Sequence, residues 1–166
     1  VIKNFDLKNN ATNFVFGDVN INSKIMIIGE WPCANEDAEG KPFVGRAGKL
    51  LDKMLAAIQL DRAKVYISNV VNYRHPENRK PTEEEIEKYL PYLISHIEII
   101  NPKIILLLGS TALNALIGNE VVISKARGKW MQKQIASTKP WIIASFHPAF
   151  LMRQPDQKKM AWIDLK

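Results

Sequence analysis

Four apolar runs, Lys24–Ile28, Val65–Val71, Lys103–Leu108 and Trp141–Phe146, constrain the fold of this chain more than any other feature. They are rich in β-branched residues and do not alternate cleanly with polar ones. Strands covered on both faces, as in parallel sheets, have this signature. Helical patterns lie between them. Leu50, Leu51, Met54, Leu55 and Ile58 form one apolar stripe. Thr82-Glu83-Glu84-Glu85, preceded by Pro81, is a capping box that opens a helix toward Ile100. Pro91 predicts a kink or break in that helix. Ser110 is placed to cap a short helix through Leu116, ending at Gly118. Pro155 suits the first turn of a final helix. The alternation predicts one α/β domain over residues 1–166, a three-layer α/β/α fold with a central four-stranded parallel sheet. Right-handed crossovers are expected.

Composition narrows the chemistry. Apolar residues make up 46% of the 166, enough for a substantial core. The net charge of +6 suits a polyanionic partner, though many basic proteins bind no nucleic acid. Cys33 is the one cysteine, so these residues hold no internal disulfide, four-cysteine zinc site or four-cysteine iron–sulfur cluster. His75, His96 and His147 are far apart and show no ligand spacing, so no metal site is expected. No apolar run reaches membrane-spanning length, and the first residues lack a signal peptide's apolar core. One cysteine fits a reducing compartment or is neutral about it.

The residues with most chemical potential follow the strands. Gly29-Glu30-Trp31-Pro32-Cys33, with Glu36-Asp37 and Gly40-Lys41-Pro42-Phe43-Val44-Gly45 beyond it, comes after the first run. Phe146-His147-Pro148 and Leu151-Met152-Arg153 close the last. Groups beyond the carboxyl ends of parallel strands share one crevice. Each of these residues has an ordinary reading beside the functional one. Gly29 suits either a tight turn or a close ligand approach. Glu30 and Glu36 are either catalytic acids or solvated ones. Phe43 either stacks on a base or anchors the core. Asn69, inside a strand run, needs partners for its amide, either a neighbouring loop or the edge of a base. Arg74, His75, Asn78, Arg79 and Lys80 either grip phosphates or lie in solvent, and Arg127-Gly128-Lys129-Trp130 raises the same question. Met131 and Trp162 read as core or cover. His147 either hydrogen-bonds a developing negative charge or is structural. Phosphate-cradling fingerprints, Walker or G-x-G-x-x-G, are absent.

In combination and order these motifs closely resemble the uracil-DNA glycosylase superfamily, specifically its family 4. The resemblance runs from Ala11-Thr12-Asn13 and Val15-Phe16-Gly17 to Gln154-Pro155. Glu36-Asp37 with Gly40-Lys41-Pro42-Phe43-Val44-Gly45-Arg46-Ala47-Gly48 is its most specific part. Asn69-Val70-Val71, Asn78-Arg79 with Pro81, Arg127-Gly128 with Trp130, and His147-Pro148 with Leu151 and Arg153 follow. It implies a cytoplasmic, nucleoid-associated monomer that hydrolyses uracil from single- or double-stranded DNA by base flipping. Phe43 would stack on uracil and Asn69 would read its O4/N3 edge. Glu30 would favour the cationic sugar and help place water, and Glu36 would orient water or the loop. His147 would hydrogen-bond O2 of the leaving base. Gly29, Trp31 and Cys33 would wall the pocket. Arg74, Arg79 and Arg127 would meet DNA, while Leu151, Met152 and Arg153 would fill the gap left in the duplex.

Departures from the family carry their own expectations. Family 4 members usually hold a four-iron, four-sulfur cluster on four cysteines. Tyr73 and Tyr89 stand at two of those positions, and Phe5 and Ile2 fall near the others, which implies a cluster-free variant with no cofactor. Trp31 and Cys33 replace small residues and narrow the pocket. Cys33 would then tighten rejection of thymine, while Trp31 could obstruct the site and leave a DNA-binding protein without turnover. Ala149 replaces the commoner serine after His-Pro. A histidine–DNA adduct-forming relative lacks support, because the Tyr73-Arg74-His75-Pro76 loop is short. A nucleotide-binding α/β protein is a further alternative, disfavoured by the missing phosphate loop.

Overall fold

A computed structural model describes residues 11, 13, 15 and 17–166. Phe5 and Ile2 lie outside the described residues. The four apolar runs form β2 (Ile25–Gly29), β3 (Tyr66–Asn69), β4 (Ile104–Leu108) and β6 (Trp141–Ser145). They pair in parallel in the order β3-β2-β4-β6. This is the expected central four-stranded parallel sheet, and it is extended at both edges. Short strands β1 (Gly17–Val19) and β5 (Met131–Gln132) add antiparallel edges, making a six-stranded mixed sheet. Neither edge carries an apolar run; backbone pairing with β3 and β6 recruits them.

Successive strand residues point to opposite faces, and here both faces are dry. Met26, Ile28, Ile105, Leu107 and Ile142 pack with Tyr89, Leu93 and Ile97 of α3 (Glu83–Ile100) and Leu113 of α4 (Ser110–Leu116). Ile27, Ile67, Leu106, Leu108 and Ile143 pack with Leu51 and Leu55 of α2 (Arg46–Ala57). That is the expected three-layer α/β/α arrangement.

The Thr82 capping box forms as read: Thr82 Oγ1 accepts from Glu85 N–H, and Glu85 Oε2 accepts from Thr82 N–H. The expected break at Pro91 does not occur, and α3 runs through it. Pro91 and Glu87 are both exposed, so water can satisfy the Glu87 carbonyl that Pro91 cannot serve. The cap of α4 is Gly109 rather than Ser110, for reasons that lie in the cleft. Short helices α1 (Ala34–Glu39), α5 (Ile123–Ala126) and α6 (Pro148–Arg153) flank the carboxyl ends of the strands. A 3-10 turn at Pro155–Gln157 leads into α7 (Lys158–Leu165), where Trp162 is 40% exposed rather than core.

Candidate active site

The parallel strands end together. Gly29 and Asn69 are paired in register, Gly109 follows β4, and His147 lies just past β6. A cleft of about 720 Å³ opens there, lined by Glu30, Trp31, Cys33, Glu36, Phe43, Asn69, Gly109, His147 and Arg153 among others. The strand-end crevice predicted from the four runs is thus a single space. Phe43, Asn69 and His147 meet within it.

Phe43 is held in an uncommon way. Its φ of 54° lies in the left-handed region. Its ring is nearly parallel to that of His147, with centroids 5.4 Å apart at 26°. A methyl group on Gly29 would fall 2.5 Å from both Asn69 Oδ1 and Phe43 Cζ, so glycine is what lets the amide and ring close in. A methyl on Gly48 would overlap the Phe43 carbonyl. Arg62 Nη2 donates to that carbonyl, and Nη1 donates to the Pro42 carbonyl at 3.2 Å. Arg62 is itself anchored by Asp52, with Nε to Oδ1 at 2.6 Å. Asn69 is buried at 4% exposure and turns its amide toward the cleft wall.

Glu30 leaves β2 and tucks beneath α4. The Thr111 N–H donates to its Oε2 at 3.1 Å. Gly109, at φ 99°, makes room: a methyl there would lie 2.6 Å from Glu30 Oε1 and 3.1 Å from His147 Cβ. Burial pushes the Glu30 carboxyl above the usual range, opposed by Thr111, Lys80 and Arg153. Glu36 has a different task. Its carboxylate accepts from Cys33 N–H at 2.7 Å and from Gly45 N–H at 3.4 Å, tying the two ends of the first motif loop. Burial, reinforced by Glu36, pushes the Cys33 thiol up, so it lines the cleft uncharged.

His147 caps α6, and its Nδ1 accepts from Ala149 N–H at 3.0 Å. Burial, with Arg153 adding to it, lowers its pKa to about 4. The ring is therefore neutral near pH 7. With Nδ1 accepting, its proton sits on Nε2, leaving a donor.

The remaining sequence-predicted residues divide. Trp31 forms part of the cleft wall and packs against the core on the α3 side. Arg153 is exposed and lines the cleft. Met152 is half-buried beside it, but Leu151 is 1% exposed and packs inside, so it is not presented for insertion into DNA. Arg74 lies near Asn78 and Asp37, and Arg79 pairs with Glu85 at 2.6 Å. Arg127 ion-pairs with buried Asp164. Thus Arg74, Arg79 and Arg127 do not line the cleft. Gly109, Thr111 and Arg62 were not foreseen. The first two follow the third apolar run, so strand-end logic could have found them. Arg62 carries no local signal.

Two of the positions the resemblance assigns to iron–sulfur ligands hold phenols, which do not fit such a cluster. Tyr73 and Tyr89 are buried in the apolar cluster, and the single thiol, Cys33, sits in the cleft. Among the described residues no group of three or more His, Cys, Asp or Glu could hold a metal ion. No described helix is long and apolar enough to cross a membrane.

Fold and cleft define a doubly wound α/β protein whose ligand site crosses the carboxyl ends of its parallel strands. The chain belongs to the uracil-DNA glycosylase superfamily, whose family model matches residues 16–166. It is 40% identical over 165 residues to a type-4 uracil-DNA glycosylase of Archaeoglobus fulgidus, covering 97% of this chain and 83% of that one. It is 44% identical over 148 residues to the type-4 enzyme of Thermotoga maritima, covering 87% and 74%. The type-4 enzyme of Pyrobaculum aerophilum is 40% identical over 162 residues, covering 93% and 83%.

Proposed function

We propose that this chain, as one domain, hydrolyses the N-glycosidic bond of uracil in DNA and leaves an abasic site. The meeting of Phe43, Asn69, His147 and Glu30 around one cleft carries the reading. The target nucleotide leaves the stack, because its C1′ is unreachable within the duplex. Phe43 offers a flat face to the uracil ring, and the Asn69 amide supplies both a donor and an acceptor for its edge. As the C1′–N1 bond breaks, its electron pair departs with the base and the sugar becomes cationic. Glu30 stabilises that cation and accepts a proton from the water that adds to C1′. His147 Nε2–H donates to the anionic uracil oxygen. One preorganised donor of this kind contributes about 3–4 kcal/mol to the rate.

Arg153 and Met152 would meet the DNA beside the flipped nucleotide, with basic side chains such as Lys80 adding attraction for phosphate. Cys33, uncharged on the wall, would crowd a 5-methyl group and help to reject thymine; Cys33→Gly should then gain activity at thymine mismatches. We take the working form to be a monomer acting on DNA in the cell interior. Incubation with a uracil-containing oligonucleotide, followed by alkali, should cut the strand at uracil and release free base. An intact strand with no free uracil, on single- and double-stranded substrates alike, would overturn the proposal.

A further inference from the structure

Two phenylalanines in the cleft have no part in the chemistry above. Phe146 and Phe150 belong to neither apolar core cluster, and both are half-buried on the cleft wall. Their ring centroids lie 4.8 Å apart at a tilt of 41°. The Arg127 guanidinium carbon stands 5.5 Å from the Phe146 centroid, and Asp164 holds it there. Phe146 is thus backed by a fixed cation that polarises its ring. Ile123, Ser124 and Gln157 continue the same wall. Consecutive side chains leaving an extended strand diverge. His147 turns its ring onto Phe43, so Phe146, one residue earlier, serves a different part of the cleft.

We infer that this aromatic wall is a second nucleobase subsite, which takes the base next to the uracil on the same DNA strand. The inference rests on the uracil-excision reading. Aromatic faces left accessible at a polynucleotide cleft suit a stacked base of any sequence. Exposed Arg153, three residues beyond Phe150 on α6, suits the phosphate joining the two nucleotides. The cleft, about 720 Å³, extends well past the Phe43 and Asn69 end where one pyrimidine ring would sit. The subsite favours single-stranded DNA, where a neighbouring base is free to leave its own stack.

The test is a cycle between protein and substrate. Single-stranded oligonucleotides would carry one uracil with ordinary neighbours, or with an abasic spacer immediately 5′ or 3′ of it. Excision is measured on deoxyuridine, and affinity by fluorescence anisotropy on the uncleavable 2′-fluoro analogue. One of the two spacers should weaken wild-type binding by roughly tenfold. Phe150→Ala should show that loss on the ordinary oligonucleotide and no further loss with the spacer. Phe150→Tyr should restore spacer sensitivity, while Phe150→Leu, apolar but without a π face, should not. Inhibition by free uracil should be equal in all four proteins. Indifference of the wild type to both spacers, or a Phe150→Ala protein as spacer-sensitive as wild type, would sink the inference. Absence of excision with the binding cycle intact would instead refute the glycosylase reading and leave the subsite standing.

Discussion

Arg62 Nη2 donates to the carbonyl of Phe43, the residue whose φ of 54° puts its ring at the cleft floor. A second hydrogen bond, to the Pro42 carbonyl, and the Asp52 carboxylate on the far side make the guanidinium a bracket. Gly48 seals the arrangement by leaving room for that carbonyl. The ring is therefore aimed by a side chain that never reaches the cleft. Hydrogen bonds to a charged group contribute about 1.5–3 kcal/mol, or roughly 10- to 100-fold in an equilibrium. Arg62→Ala should weaken free-uracil inhibition and raise KM within that range, with kcat less affected. Arg62→Lys should recover only part, since one ammonium cannot bridge both carbonyls. A fall in Tm alone, with uracil inhibition unchanged below it, would contradict this account.

In the proposed reaction Glu30 must be ionised to stabilise a cationic sugar and accept a proton. Burial raises its pKa above 4.5, so single-turnover excision should fall on the acid side with a midpoint above that value. Lys80 works against the burial. Removing its positive charge with Lys80→Ala should shift the midpoint higher still. A midpoint that stays put or moves down would show that Lys80 does not act on Glu30.

His96 and His147 are both lowered by burial to about 4, from 6.5. Between those values the unfolded chain binds protons that the folded chain refuses. Their contribution to stability is complete above pH 6.5 and is lost as pH falls through 4. The raised carboxyls of Glu30 and Asp164 work the other way, while His75, also lowered by burial, adds to the two histidines. Tm should therefore decline steadily from pH 6.5 to pH 4. A Tm flat across that interval would mean the two rings are protonated at no cost.

Asp164, on α7, holds two partners at once: it ion-pairs with Arg127 and accepts from the Ser145 hydroxyl at 2.6 Å at the end of β6. Its side chain is 1% exposed. Breaking a buried pair by removing one member typically costs about 3–5 kcal/mol. Asp164→Ala should lower the urea midpoint accordingly and release Arg127 from Phe146. A change under about 1 kcal/mol would mark the pair as an ordinary surface contact.

Local chemistry determined much of this protein. The β-branched runs commit to strands because burying both faces leaves no polar side to hydrate, and Thr82 with Glu85 commits a helix start by satisfying its own free N–H groups. Glu30, Phe43, Asn69 and His147 were legible because each borders or ends a recognisable strand or motif. Tertiary structure decided the rest. Strands β1 and β5 form only because a neighbour offers hydrogen bonds. Leu151 is interior because α6 lies against the body of the fold, and nothing in its own segment distinguishes a buried leucine from a wedge. Arg62 meets Phe43 across 19 residues, and Arg127 finds Asp164 across 37. A lone arginine reads as a surface cation until folding brings it an acceptor, because such partners are set by the path of the backbone rather than by neighbouring residues.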